Sequence, residues 1–125
     1  VYDGEDLEVI ARGSGLPIAE VVERYRAPIY EVAMLGFSPG FPYLRGLDAR
    51  LATPRRSTPR ASIRAGSVAI GGIHTGIYSV ASPGGWNVIG HTSVRVFDPG
   101  RRDADGGEAG MFLLRAGDRV RFVEG

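Results

Sequence analysis

The sequence predicts a mainly β domain, a barrel or a sandwich, with a short pair of helices at its N-terminus. A helical pattern of apolar residues is confined to residues 3–26. Glycine and proline become frequent beyond residue 36, and the 125-residue chain holds 19 glycines and 8 prolines. Short runs of β-branched and aromatic residues recur between these turn residues, as expected for many short strands. A hydrophobic content of 43% is sufficient for a core.

Two helices are predicted from capping and breaking residues. Asp3 and Asp6 resemble a capping box at the start of the first helix, and Gly13 and Gly15 end it. Pro17 suits the first turn of a second helix. Each helix has one apolar face, formed by Leu7, Ile10 and Ala11 in the first and by Ile18, Val21, Val22 and Tyr25 in the second. The two helices are therefore expected to pack as a hairpin.

The rest of the chain is expected to form strands joined by tight turns. The predicted strands are residues 29–37, 67–70, 76–80, 87–90, 93–97, 111–114 and 119–123. Residues 82–85, Ser-Pro-Gly-Gly, are predicted to be a tight turn. Residues 98–110 are polar and rich in glycine, which predicts an exposed, mobile loop. No linker divides the chain, so residues 1–125 are expected to form one domain, with its barrel over residues 29–125.

Composition excludes several functional classes. All 15 basic residues are arginine, so the chain alone can carry neither biotin on a lysine, nor a P-loop lysine, nor a Schiff base. The absence of cysteine removes disulfides, thiolate metal sites and a cysteine nucleophile. With only two histidines and no acidic residue at a suitable spacing, no metal site is expected. A net charge of +1 and the lack of a long apolar run predict neither a nucleic-acid nor a membrane partner.

Residues 36–44 read Gly-Phe-Ser-Pro-Gly-Phe-Pro-Tyr-Leu, an unusual concentration of aromatic and turn residues. Pro39 and Pro42 restrict the backbone, while the glycines permit turns that other residues resist. The segment is therefore predicted to be a rigid loop.

This loop has two interpretations. A purely structural plug would bury Phe37, Phe41 and Tyr43 together. A ligand-binding loop would bury Phe37 as an anchor and leave Phe41 or Tyr43 on the wall of a groove, beside Tyr78 or Trp86. We expect the second arrangement.

A proline-arginine pair recurs in residues 54–60 and suggests an anion site. Two prolines would fix the backbones of Arg55 and Arg60, whose planar guanidinium groups bind carboxylate or phosphate bidentately. The alternative is a solvated loop whose arginines pair with Asp48, with Asp98 or with nothing.

The two histidines and the single tryptophan leave their roles open. His74 and His91 are each suited to be a general base, a hydrogen-bond donor or a half-exposed structural residue. Trp86 follows a double glycine and either forms the floor of a pocket or fills the end of a barrel. No serine lies in a nucleophile-elbow motif, so no catalytic residue is assigned.

An ordered series of motifs nearly spans the chain and resembles a known family. The motifs are Gly36-Phe37-Ser38-Pro39-Gly40-Phe41-Pro42-Tyr43-Leu44, Gly46-Leu47-Asp48, Leu51, Pro54-Arg55, Pro59-Arg60, Ala65-Gly66-Ser67-Val68, Thr75-Gly76-Ile77-Tyr78, Ser82-Pro83-Gly84-Gly85-Trp86, Ile89-Gly90 and Gly117-Asp118-x-Val120-x-Phe122. In this order they are similar to the KipI family, which includes the first subunit of allophanate hydrolase and the B subunit of 5-oxoprolinase.

The resemblance implies a fold and partners that spacing alone does not. It implies a cyclophilin-like β-barrel beside the helical hairpin, and a preceding α/β domain that this chain lacks. It also implies two partners, a KipA-type protein (the C subunit of 5-oxoprolinase) and a LamB-type protein (the A subunit). The resemblance implies that the three proteins together would form a cytoplasmic, ATP-dependent 5-oxoprolinase that acts on a small molecule, with ATP used by the complex and no cofactor bound by this chain alone.

Some positions depart from the family pattern. The family usually has Gln at His74, Pro at Ser79, Arg at His91 and Pro at Ser93, and often has His at Tyr25 and Pro at Arg64. Both histidines are thus substitutions, so His74 is expected to line the pocket and not to act as a base.

These observations define an expected substrate site and two alternative functions. The expected substrate-binding residues are Tyr43, Arg55, Arg60, His74, Tyr78 and Trp86. The arginines would hold a carboxylate, and backbone N–H groups of residues 71–76 and 84–85 would stabilise developing charge. The resemblance also allows two other functions: inhibition of a sensor histidine kinase by protein contact, or a carboxyltransferase or allophanate hydrolase component of urea breakdown.

Overall fold

The computed structural model of the protein describes residues 1–104 and 106–123. The helices over these residues are α1 (Leu7–Ser14) and α2 (Ile18–Arg26), with short 3-10 helices at Ala49–Leu51 and Glu108–Met111. The strands are β1 (Tyr30–Leu35), β2 (Pro42–Arg45), β3 (Arg60–Ile63), β4 (Ser67–Gly71), β5 (His74–Ile77), β6 (Ser82–Gly84), β7 (Asn87–His91) and β8 (Arg119–Val120). The mainly β class with two N-terminal helices is confirmed.

The strands form two antiparallel sheets. Six strands pair in the order β7-β4-β5-β2-β1-β8, while β3 and β6 pair only with each other. Within the described ranges, β7 and β8 stand at opposite ends of the large sheet and no strand pairing joins them. Closure of the expected barrel is therefore not confirmed, and β3 and β6 form a separate two-stranded ribbon.

The large sheet has a separate core on each face, and the strand alternation explains why. Successive side chains of a strand point to opposite faces. Leu44, Val68 and Ile89 therefore face the helices, whereas their neighbours Tyr43 and Ala69 face the other way. The helix-side core also includes Leu7, Ile10, Val21, Tyr25, Tyr30 and Val32, and the second core comprises Phe41, Ile63, Ala69, Tyr78, Trp86 and Val88.

The N-terminal segment is joined to the edge of the large sheet before α1 begins. The N–H of His91 donates to the carbonyl of Val1 at 2.9 Å, and the N–H of Gly4 donates to that of Ile89 at 3.0 Å. The expected capping box does not form: Asp6 stands before α1, but its side chain makes no capping hydrogen bond there. Its carboxylate instead accepts the N–H of Val88 at 2.8 Å.

Several predicted strands differ from those observed. Residues 93–97 and 111–114 do not form strands and are joined by a single bridge between Phe97 and Phe112. Strands β2 and β3 were not predicted, and the predicted turn at residues 82–85 contains β6. Proline and glycine predict turns when read locally, but here they pair across the sheets because distant neighbours supply the partner strand.

The predicted loop at residues 98–110 lacks strands in its described part and ends in a 3-10 helix. Arg101 connects its two ends, donating from Nε to the carbonyl of Gly110 at 2.7 Å and from Nη1 to that of Arg95 at 3.2 Å. The mobility of this loop stays a prediction. Of the described helices, none has both the length and the apolar character needed to cross a bilayer.

Candidate functional site

A small cavity opens beside the second core, and we call it the aromatic cleft. Its volume is about 110 Å³. It is lined by Phe37, Phe41, Tyr43, Arg55, Tyr78, Gly84, Gly85 and Trp86. These residues come from the β1–β2 connection, β2, the segment before β3, the residue after β5, and β6 with its turn to β7, so the cleft exists only when the chain is folded.

The β1–β2 connection gives its two phenylalanines opposite roles from those predicted. Phe41 is 1% exposed and Phe37 is 65% exposed, so Phe41 is the buried anchor and the prediction for Phe37 was wrong. Phe41 immediately precedes β2, which directs its ring into the second core. Phe37 lies at the loop tip with a φ of 68°, an uncommon left-handed conformation for a bulky residue.

The loop is nevertheless not the structural plug of the alternative interpretation. Phe37 remains exposed, Tyr43 is half-buried on the cleft wall, and a cavity borders all three aromatics. A hydrogen bond from the N–H of Gly36 to the carbonyl of Phe41, at 3.1 Å, closes the loop.

Phe41 is the centre of the aromatic cluster. Its ring centroid lies 5.2 Å from that of Tyr43, 5.2 Å from Tyr78 and 5.3 Å from Trp86. The Tyr78 and Trp86 rings meet it at 90° and 86°, the edge-to-face geometry that aromatic pairs favour. Such close mutual contacts fix the cleft walls.

Two glycines make room for this cluster. A Cβ at Gly84 would collide with the hydroxyl of Tyr78, and a Cβ at Gly71 would lie 2.5 Å from the Trp86 ring. Larger residues would therefore displace the rings. Burial raises the pKa of the Tyr78 hydroxyl above its ordinary value, and the backbone N–H of Trp86 and the charge of Arg55 offset only part of this effect. The hydroxyl thus stays protonated and neutral.

Arg55 supplies the cation of the aromatic cleft. Its Cζ lies 5.8 Å from the centroid of the Trp86 ring, a cation–π distance. The side chain is exposed, and it forms no ion pair with a carboxylate in the described ranges. The guanidinium is therefore available to an anionic ligand.

The backbone on both sides of Arg55 is held by hydrogen bonds. Asn87, 2% exposed, donates its amide to the carbonyl of Pro54 at 2.9 Å. The N–H of Arg56 donates to the carbonyl of Gly85 at 2.6 Å. Asn87 is thus a positioning residue that sequence reasoning missed; its only signal was a polar residue inside an apolar strand.

Arg60 has a different environment and does not line the aromatic cleft. Its Nη1 and Nη2 contact the carboxylate of Asp6 at 2.5 and 3.0 Å. Arg56 contacts the same carboxylate at 3.1 Å. The two-arginine clamp expected from the proline-arginine repeat is therefore not formed. The partner of Arg60 is neither Asp48 nor Asp98, and Asp48 pairs with Arg24.

The Asp6 carboxylate is buried and charged. Burial alone would raise its pKa, but the hydrogen bonds from Arg60 and Val88, together with the charges of Arg60 and Arg56, outweigh burial and hold the pKa below its ordinary value. The carboxylate therefore stays ionised and connects the start of α1 to β3 and β7.

The histidines lie outside the aromatic cleft. His74 is half-buried at the start of β5 and pairs with Gly71 across the strands. His91 contacts Asp3 through Nδ1 at 2.7 Å, beside a separate cavity of about 290 Å³ that Arg60 also lines. Over the residues that the structure describes, no three His, Cys, Asp or Glu side chains form a group able to hold a metal ion.

One expected oxyanion donor is already engaged. The N–H of Gly72 donates to the carbonyl of Thr53 at 2.7 Å, and the N–H of Thr53 donates back to Gly72 at 3.1 Å. This exchange fixes the segment that leads to Arg55. It leaves the Gly72 N–H unable to bind a ligand at the same time.

Comparison with known proteins shows what this chain resembles. Residues 1–105 match the carboxyltransferase domain, subdomain C and D. The chain is 52% identical over 120 residues to the B subunit of 5-oxoprolinase from Escherichia coli O157:H7 and 46% identical over 120 residues to that of Haemophilus influenzae. Each alignment covers 96% of this chain but 52% and 53% of the relatives, so the chain spans about half their length.

Two solved structures extend the comparison. A conserved uncharacterized protein from Pyrococcus horikoshii is 43% identical with a TM-score of 0.88, covering 98% of this chain and 55% of that one. The urea carboxylase of Kluyveromyces lactis is 27% identical with a TM-score of 0.77, covering 94% of this chain and 10% of that protein.

Proposed function

The chain belongs to the family of the carboxyltransferase domain, subdomain C and D, and on this premise we propose that it is part of the B subunit of an ATP-dependent 5-oxoprolinase. The observation that carries this proposal is the 52% identity over 120 residues to the B subunit of a 5-oxoprolinase, repeated at 46% and 47% in two other species. The complex would convert 5-oxo-L-proline to L-glutamate in the cytoplasm, where ATP is supplied.

Partner proteins are part of the proposal, because this chain has few of the groups that the reaction needs. It lacks the lysine that commonly contacts nucleotide phosphates, and no nucleophile motif is present. The aromatic cleft, at about 110 Å³, is also far smaller than the roughly 300–1,000 Å³ of pockets for drug-sized ligands, so ATP would not fit in this cleft. KipA-type and LamB-type partners would therefore bind ATP and complete the site.

The contribution of this chain would be to hold the substrate. A lactam opens slowly because its amide is resonance-stabilised, and transfer of a phosphoryl group from ATP to the amide oxygen would create a leaving group. That step requires a fixed substrate and little competing water. The aromatic cleft offers packed aromatic walls and one available guanidinium, which suit both requirements.

Reconstitution tests this function. The chain is mixed with a KipA-type and a LamB-type partner, ATP and 5-oxo-L-proline, and L-glutamate is measured. We expect glutamate only when all components and ATP are present. Turnover by the chain alone, or equal turnover by the partners without the chain, would contradict the proposal.

The likeness to urea carboxylase supports one alternative function, a carboxyltransferase component. That function requires biotin on another protein, since this chain has no lysine to carry it. The same mixture is therefore assayed with a biotinylated carrier protein, bicarbonate and urea. Carboxylation that depends on biotin, with no glutamate from 5-oxoproline, would favour the alternative.

A further inference from the structure

We propose that the protein has a second ligand site, which binds a free α-amino acid in the cavity of about 290 Å³ beside His91. We call this space the polar cavity. It is bounded by the N-terminal segment, β3, the β3–β4 turn and β7, and it shares no lining residue with the aromatic cleft. The ligand carboxylate would bind Arg64 and Ser67, and its ammonium group would bind Asp3 and Glu5. The inference goes beyond the proposed function, because this site is separate from the aromatic cleft.

A buried hydroxyl without a partner is the first observation that points to a ligand. Ser67 is the first residue of β4, it is 3% exposed, and it lines the polar cavity. Among the residues that the structure describes, none makes a hydrogen bond with the Ser67 hydroxyl. Buried hydroxyls in folded proteins normally have such a partner. A ligand oxygen in the cavity would supply it.

An arginine without a counter-charge is the second observation. The Arg64 side chain is exposed at the polar cavity, and it pairs with no carboxylate in the part of the chain that the structure describes. Arg60, the other arginine of this cavity, is held by Asp6 and Glu5. Arg64 is therefore the cation that can bind a ligand carboxylate, through the planar fork of its guanidinium group.

The β3–β4 turn holds the backbones of Arg64 and Ser67 in fixed positions. The N–H of Ser67 donates to the carbonyl of Arg64 at 3.3 Å and closes the turn. Gly66, between them, donates its N–H to the carbonyl of Tyr78 at 2.7 Å and accepts the N–H of Thr92 at 2.8 Å. Its φ is 88°, and an added Cβ would lie 2.4 Å from the Thr92 carbonyl oxygen, so the turn requires glycine. The carboxylate-binding groups are thus placed on a backbone that is ordered before the ligand binds, which reduces the entropy lost on binding.

The N-terminal segment supplies the acceptors for an ammonium group. Asp3 contacts the Nδ1 of His91 through Oδ1 at 2.7 Å, and Glu5 contacts the Nε of Arg60 through Oε2 at 3.3 Å. Each carboxylate therefore has a second oxygen available at the polar cavity. An ammonium group has three N–H donors, which these oxygens can accept.

The strand order sets the distance between the two kinds of group. Ser67 of β4 is the direct partner of His91 in β7, and the backbone of His91 is hydrogen-bonded on its other side to Val1, two residues before Asp3. Two strand spacings amount to about 9–10 Å, and two hydrogen bonds of about 2.8 Å leave roughly 4 Å for the ligand. This length suits a carboxylate and an ammonium group on the same carbon, and it is too short for the two ends of a longer chain.

The test is a nuclear magnetic resonance titration of the isotope-labelled full chain, in which the backbone amide signals of Ser67 and Val88 report on the polar cavity. The ligands are L-2-aminobutyrate, its isomer 4-aminobutyrate, butyrate, and propylammonium. The isomers differ in the separation of their charges, and the last two ligands each lack one charge. We expect saturable shifts with L-2-aminobutyrate and affinities at least about tenfold weaker for the other three. The indole N–H signal of Trp86, in the aromatic cleft, should not shift.

Variants test each part of the site. Arg64→Gln should weaken the binding of L-2-aminobutyrate at least about tenfold. Glu5→Gln should also weaken it but should not weaken the binding of butyrate, because Glu5 attracts the ammonium group and repels a carboxylate. Ser67→Ala should weaken binding without lowering the urea midpoint of unfolding, since the hydroxyl has no partner to lose. Arg12→Gln is the matched control, since the Arg12 side chain is 80% exposed on α1, and it should leave binding unchanged.

Three results would overturn the inference: no saturable shift of the Ser67 signal with L-2-aminobutyrate, equal affinity for the two isomers, or binding that is insensitive to Arg64→Gln. None of these measurements uses 5-oxo-L-proline or a partner protein. The polar cavity is therefore tested independently of the proposed function.

Discussion

Arg55 and Arg60 come from the same proline-arginine repeat but differ in what surrounds them. Arg60 and Arg56 share the carboxylate of Asp6, whose side chain is 2% exposed. Arg55 has no such partner in the described ranges and lies over Trp86. The local sequence predicted the same role, binding of an anion, for Arg55 and Arg60. Only the fold, which brings Asp6 beside β3, distinguishes the available guanidinium of Arg55 from the two that contact carboxylates.

Asp6→Asn should destabilise the fold markedly. The substitution removes the buried charge that Arg56 and Arg60 share and leaves Arg60 with only the exposed Glu5 as a carboxylate partner. It should lower the free energy of unfolding by about 2–3 kcal/mol at neutral pH. The measurement is urea unfolding. Glu8→Gln is the matched control, because the Glu8 side chain is 74% exposed beside an equally exposed Arg12, and it should change stability by less than about 0.5 kcal/mol.

The same substitution should change how stability depends on pH. The pKa of Asp6 is lowered in the folded protein, so its contribution is complete above the unfolded value of about 3.9 and is lost as pH falls through the folded value. The difference between the parent and Asp6→Asn should therefore shrink below about pH 4. A difference that stays constant or grows in acid would contradict this account of Asp6.

Among the elements, short apolar strands bounded by turn residues were the most predictable. Residues 67–70 and 87–90 were predicted as strands and lie in β4 and β7, because their local pattern agrees with their tertiary setting. Strand β6 was predicted as a turn, since Ser82, Pro83 and Gly84 favour turns locally. Its pairing with β3 depends on residues about 20 positions away, which no local pattern reveals.

Gly84→Ala should disturb β6 and the aromatic cleft together. The added Cβ would meet the Tyr78 hydroxyl, and the ring would have to move within a packed core, at a cost of about 1–3 kcal/mol. Binding of 5-oxoproline should weaken as well. Stability is measured by urea unfolding, and binding is measured from the shift of the Trp86 indole N–H signal in a nuclear magnetic resonance titration.

Gly13→Ala should stabilise the protein, in contrast to the destabilisation expected for Gly84→Ala. Gly13 lies in α1, and a Cβ added there would meet nothing within 4 Å, so alanine should stabilise the helix by about 0.5–1 kcal/mol. Ligand binding should not change.

A stable Gly84→Ala variant with normal binding would show that Gly84 is not needed for the shape of the cleft.

At the scale of the whole molecule, the sequence anticipated much of the aromatic cleft. Tyr43, Tyr78 and Trp86 come together there with Arg55, whereas Arg60 and His74 lie elsewhere. Aromatic residues in turn-rich segments were recognisable as candidate site residues because they fit neither a helix nor a simple strand. The anchor role of Phe41 and the support from Asn87 were not recognisable, because each depends on which face of a distant strand it meets.

The central claim is that this chain provides the substrate cleft of a 5-oxoprolinase, and Tyr43→Ala in the reconstituted complex tests it most directly. Tyr43 is half-buried on the cleft wall, so its removal should cost more in ligand contact than in folding. We expect the KM for 5-oxo-L-proline to rise about tenfold while the KM for ATP stays within about twofold. An unchanged KM for 5-oxo-L-proline, or a rise confined to the KM for ATP, would contradict the claim.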